Sequence, residues 1–231
     1  MSDFRYYRPN NFPPIVKNLI IINVLVWIAQ MALDSQYNLT GKLMLYPIQT
    51  DEFKPYQIAT HMFAHAPFPA LYHILFNMFG LWMFGKILEN VWGPQRFLLF
   101  YLVCGVGAAA VHLGIQYFRW EHAEALWNAG QFVKAQEEVN SIGPALGASG
   151  AVMGIFAAFA YLFPNTELYL MFIPVPIKAK WLVLGLAAFD LFGGVANFSG
   201  DNVAHFAHLG GALTGFILVL IWNKTNRKRF Y

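Results

Sequence analysis

Four polar residues in an otherwise apolar chain have the types and spacing for acyl-transfer chemistry. They are Ser149, in the run Gly147-Ala148-Ser149-Gly150, together with His208, His73 and Asn77. A serine hydroxyl is a poor nucleophile until a neighbouring imidazole takes its proton, and histidine's unperturbed pKa of about 6.5 suits that task. His73 and Asn77 are four residues apart, so on a helix they share a face. An imidazole N–H beside an amide NH₂ supplies donors for an oxyanion, and losing one such donor can cost roughly 10²–10³ in rate. Each group alone has a plainer explanation. Serine is common at helix contacts, and a lone membrane histidine ordinarily bonds a backbone carbonyl.

The elements that must hold these groups are helices in a bilayer. The 231 residues are 58% hydrophobic and 17% aromatic, with 12% charged. A soluble domain carries about 25% charged residues, so too little polar surface remains to wet a globule. That excludes a soluble enzyme, a disordered chain and a coiled coil. A net charge of +3, with no basic patch among exposed aromatics, excludes a nucleic-acid partner. The one cysteine, Cys104, offers neither an intramolecular disulfide nor a thiolate metal cluster.

Spans of roughly 17–25 apolar residues are read at 16–33, 70–88, 97–117, 146–163, 181–198 and 203–222. The reading is therefore an all-α polytopic membrane protein, a six-helix bundle in a single domain over 1–231. A short segment 1–15 precedes it and a basic tail, 223–231, follows. The stretch 168–177 carries Pro174 and Pro176 and is read as an interfacial connection. Eleven of the fifteen Lys and Arg, among them Arg5, Arg8, Arg227, Lys228 and Arg229, fall on the side that holds both termini. Lys42, Lys54, Arg119 and Lys134 fall opposite, which places both termini in the cytoplasm. With no organelle-targeting extension in view, the expected home is a bacterial inner membrane.

Projection at about 100° per residue brings the candidates onto packing faces. Ser149, Gly150, Met153, Gly154, Ala157 and Ala160 share an arc of about 140°, opposite Val152, Phe156 and Phe159. His208, Gly211, Ala212 and Gly215 share a face of the last span, with His205 at its margin. Helices in lipid associate through such small-residue faces, so Ser149 and His208 are expected to meet near the outer ends of their spans. No carboxylate is in evident reach. Asp190, the only acid well inside a span, is read as a helix-packing acid, which leaves a Ser–His dyad.

With these residues in view, the chain resembles the rhomboid intramembrane serine proteases. Gly147-Ala148-Ser149-Gly150 resembles their GxSG motif, and the run Ala207-His208-Leu209-Gly210-Gly211 resembles the helix carrying their histidine. His73 to Asn77 is similar to their HxxxN element, and Glu89 to Phe97 to their connection into the third helix. The resemblance implies an intramembrane endopeptidase acting on single-span transmembrane substrates in or near the bilayer. In it Ser149 is the nucleophile and His208 the base, while His73, Asn77 and the Ser149 N–H form the oxyanion hole. Gly147, Gly150 and Gly211 support the motif, and no metal or other cofactor is implied. It also implies substrate entry beside the fifth span and residues 200–202. Met153 stands where many members have Tyr, and the first outer segment lacks their Trp-Arg pair.

Two rival readings come from other classes. A catalytically silent relative that binds or chaperones transmembrane helices is expected to lack Ser or His at these positions. A metal protein is suggested by His61 and His65 and by His205 with His208. The zinc-protease pattern, however, needs Glu where this chain has Met62.

Overall fold

A computed structural model describes residues 10–170, 173–196 and 204–225. Arg5, Arg8, Arg227, Lys228, Arg229 and the connection at 200–202 lie outside them. The helices are α1 (Pro14–Tyr37), α2 (Leu39–Leu43), α3 (Gln57–Thr60), α4 (Leu71–Gly80), α5 (Lys86–Trp92), α6 (Pro94–Asn128), α7 (Phe132–Asn140), α8 (Ser149–Leu162), α9 (Ala179–Ala196) and α10 (His205–Thr225). A π-helical turn, Leu81–Gly85, joins α4 to α5, so Leu71–Trp92 forms one rod.

Among the described residues five helices are long and apolar enough to cross a membrane, namely α1, the α4–α5 rod, α6, α9 and α10. The expected span at 146–163 is shorter than read. Its helix begins only at Ser149 and has 14 residues, roughly 21 Å at 1.5 Å per residue, against about 30 Å of hydrocarbon. α8 is also the most enclosed helix, with ten of its residues buried. It is a central post surrounded by longer helices, so its length need not match the lipid. The expected end of the third span at 117 is overrun: α6 has 35 residues, roughly 52 Å at 1.5 Å per residue against about 30 Å of hydrocarbon, and α7 folds back on it. The segment at 168–177 is a two-stranded antiparallel hairpin, β1 (Glu167–Leu170) with β2 (Ile173–Lys178). Proline lacks an N–H but is tolerated in such a ribbon, where every strand is an edge.

Tertiary contacts supply the caps that the termini lack. α1 starts at Pro14 without a side-chain cap of its own. The buried Glu89 carboxylate, from α5, accepts the Ile15 and Val16 N–H groups at 2.9 and 2.8 Å. Phe84 lies edge-on to Phe156 and Phe159 at 4.7 and 4.8 Å between ring centres, which locks the rod to α8. A Cβ on Gly80 would stand 2.9 Å from Phe156, so that glycine admits α8 as its helix face suggests.

Candidate active site

The site is built where the first outer segment meets the start of α8. That segment is packed rather than loose, with Gln57, His61, Met62, Ala64 and His65 all buried. It pairs with the chain just ahead of α8 through the Leu45–Ala145 bridge, and the His61 carbonyl accepts the Gly147 N–H at 2.9 Å. Gly147 has φ +123°, a conformation that a side chain would strain. A Cβ there would also strike the His73 ring, 2.8 Å from Nε2. This turn makes Ser149 the first residue of α8, where backbone N–H groups have no partner within the helix and the helix dipole favours negative charge.

α8 and α10 lie backbone to backbone. A Cβ on Gly211 would strike the Gly150 carbonyl, and one on Gly215 would stand 2.6 Å from the Gly154 oxygen. Gly150 itself faces Ala108 of α6 and the Ala207 carbonyl. Met153, on the same face, is buried. This approach brings Ser149 Oγ and His208 Nε2 to 2.8 Å, within hydrogen-bond distance. The His208 side chain stays 19% accessible, so its ring is not sealed inside the bundle.

Of the donors expected at the second span, His73 stands near this pair, and the structure fixes its proton. The Ala66 N–H donates to His73 Nδ1 at 3.0 Å. A nitrogen that accepts carries no proton, so neutral His73 holds its proton on Nε2. The same missing Cβ of Gly147 would lie 3.6 Å from Ser149 Oγ. The bare face of Gly147 is thus the space between the His73 N–H and the hydroxyl. Asn77 is buried, and one of its amide protons goes back to the His73 carbonyl at 2.8 Å. The other has no hydrogen-bond partner among the described residues.

The carboxylate that the sequence reading did not supply is Asp190. It is buried on α9, and its Oδ1 lies 3.0 Å from His208 Nδ1 and 2.8 Å from His205 Nδ1. Reading it as a packing acid missed that Gly193 and Gly194 share its helix face and bring α10 close. A Cβ on either would meet His205 or Phe206. The available signal was an acid with glycines three and four positions on, a pair that lets a facing helix approach the carboxylate.

Of the four remaining histidines, exposed His122 lies 3.7 Å from the Glu138 carboxylate, and the other three bind backbone. His61 and His65 Nδ1 face the Gln57 and Phe63 carbonyls, and His112 Nε2 faces that of Gly143. Burial lowers the pKa of His61. Burial first, and the His73 imidazole second, push His65 down to about 4. Among the described residues no three His, Cys, Asp or Glu gather as a metal site.

Residues 52–224, about three quarters of the chain, match the family model described as Rhomboid domain. The chain is 30% identical over 221 residues to RHOMBOID-like protein 12, mitochondrial, of Arabidopsis thaliana, covering 94% of this chain and 60% of that protein. It is 30% identical to Rhomboid protein 1, mitochondrial, of Saccharomyces cerevisiae, over 67% of this chain and 38% of that one. Against Presenilin-associated rhomboid-like protein, mitochondrial, of Homo sapiens, identity is 28% over 90% of this chain and 49% of the relative. The chain thus spans about half the length of these curated relatives. They overturn the expected bacterial inner membrane with cytoplasmic termini, because all three are mitochondrial proteins by name. A basic asymmetry orients the bundle between the two faces of a membrane but does not say which membrane holds it. An all-helical bundle with these motifs in order, matched over most of its length, belongs to the rhomboid family.

Proposed function

We propose that this chain is a serine endopeptidase that cleaves single-span transmembrane proteins within a mitochondrial membrane, its residues acting as one membrane domain. The observation that carries this reading is the 2.8 Å contact between Ser149 Oγ and His208 Nε2, at an accessible imidazole beside the His73 Nε2–H.

A regular substrate helix hides its carbonyls in its own hydrogen bonds. The substrate must therefore unwind locally to present a peptide bond, and Gly or Pro near the scissile site lowers that cost. Ser149 Oγ attacks the carbonyl carbon while its proton passes to His208 Nε2. The carbonyl oxygen becomes an oxyanion and accepts from the His73 ring N–H, the free Asn77 amide proton and the Ser149 backbone N–H. His208 then returns its proton to the leaving amine, and the C–N bond breaks. Water, deprotonated by His208, resolves the acyl-enzyme and regenerates Ser149.

The test is a serine-directed fluorophosphonate applied to the purified chain in detergent, followed by mass spectrometry of the modified peptide. Label is expected on Ser149, and both Ser149→Ala and His208→Ala should abolish cleavage of a single-span reporter while expression is unchanged. Persistent cleavage by either variant, or label on a different serine, sinks the reading. His205→Ala should be much milder, and equal loss there would mean that the base is the other imidazole.

A further inference from the structure

We infer that Asp190 and His205 form a positioning pair that aims His208 at Ser149, an inference that rests on the reading of His208 as the base. One carboxylate oxygen, Asp190 Oδ1, faces Nδ1 of both imidazoles, at 3.0 Å for His208 and 2.8 Å for His205. An ionised carboxylate only accepts, so each ring presents an Nδ1–H to it. For His208 that leaves the lone pair on Nε2, the nitrogen that meets the Ser149 hydroxyl. The opposite tautomer would offer Ser149 a second donor and could take no proton from it. The buried carboxylate thus selects the reactive form of the base, and it balances the imidazolium once His208 is charged. In that step the proton moves from Oγ to Nε2, and Asp190 takes up none.

His205 is seated too specifically for a residue that only fills space. Its ring lies edge-on to Phe189 at 5.9 Å between centres. The absent side chain of Gly193 makes room for it, since a Cβ there would stand 2.5 Å from Nε2. It is buried to 5% exposure, against 19% for the His208 side chain. Of two imidazoles on one oxygen, His205 is thus the enclosed one and His208 the one open to substrate. His205 keeps Oδ1 turned toward α10, and its N–H stabilises the ionised carboxylate. A packing acid could be replaced by an isosteric amide, whereas a tautomer-selecting carboxylate could not.

The experiment uses the full chain in detergent and measures kcat and KM separately, with the thermal midpoint alongside. Asp190→Asn should lower kcat at least ~100-fold with KM within about twofold, because the amide cannot hold the required tautomer. His205→Leu should lower kcat about 10-fold, as expected when a hydrogen bond to a charged group is lost. His205→Asn, whose amide N–H can stand near the Nδ1 position, should recover turnover to within about threefold of the parent. Kinetic losses confined to KM, or Asn and Leu at 205 behaving alike, overturn the inference. A readout independent of turnover is ¹⁵N-histidine NMR of the Ser149→Ala chain. His208 should carry its proton on Nδ1, and adding Asp190→Asn should move proton population to Nε2. A proton found on Nε2 in the Ser149→Ala chain itself overturns the pair. The expected tautomer in a chain without cleavage activity supports the pair and counts against the protease reading alone.

Discussion

Gly211→Ala tests whether the backbone contact between α8 and α10 sets the reactive distance. The new Cβ would strike the Gly150 carbonyl, standing 2.6 Å from its carbon and 3.1 Å from the Gly150 Cα. Non-bonded carbons rest at about 3.5–4.0 Å, so the helices must part by about 1 Å at that level. No rotamer can relieve it, because both partners are backbone. Ser149 adjoins Gly150, and His208 lies within one turn of Gly211, so most of the displacement reaches them. The 2.8 Å contact would open to roughly 3.5–4 Å, past the range of a hydrogen bond. A 1 Å misplacement costs about 100-fold in rate, and overpacking of this kind costs about 1–3 kcal/mol of stability. The assay is reporter cleavage together with fluorophosphonate labelling and the thermal midpoint, with Gly185→Ala as control, since a Cβ at Gly185 meets nothing within 4 Å. The expected result is a loss of about 100-fold in both cleavage and labelling for Gly211→Ala, with the control near the parent rate. A folded Gly211→Ala chain that cleaves within about threefold of the parent would refute the reasoning, because that 1 Å would then not reach the reacting atoms.

Asn77→Ala should lower turnover about 10-fold, less than the roughly 10²–10³ of a fully committed oxyanion donor, because one amide proton already serves the His73 carbonyl; a loss as complete as that of Ser149→Ala would contradict this. Buried His65 is held neutral in the fold with its pKa near 4, below the unfolded value of about 6.5. The unfolded chain binds its proton first, so stability is full above about pH 6.5 and falls toward pH 4 by up to about 3 kcal/mol. Thermal melts across that range should show the fall, and His65→Gln should flatten it; equal slopes in both chains would rule His65 out as the source. Glu89→Ala should cost about 2–4 kcal/mol by leaving two helix-start N–H groups, one buried and one part-buried, without an acceptor. That is readable as a lower denaturation midpoint, and an unchanged midpoint would mean that another acceptor takes them.

The local sequence alone carried the membrane class, most of the helices and the identity of the candidate hydroxyl and imidazoles. Sparse charge admits no soluble fold, and small residues repeating at helical spacing mark the faces that must touch. Ser149, Gly150 and Gly154 against His208, Gly211 and Gly215 were legible for that reason. What pattern could not decide was length and partnership. Ser149–Leu162 is short because it is enclosed by longer helices, and 168–177 turns back as a hairpin because its pairing partner is itself. The His73 proton is placed by the backbone of Ala66, seven residues away across a turn. Asp190 reaches His208 from 18 positions upstream only because α9 and α10 pack together. Periodicity reports which face of a helix is buried, but which polar group waits on the facing helix is decided only when the helices meet.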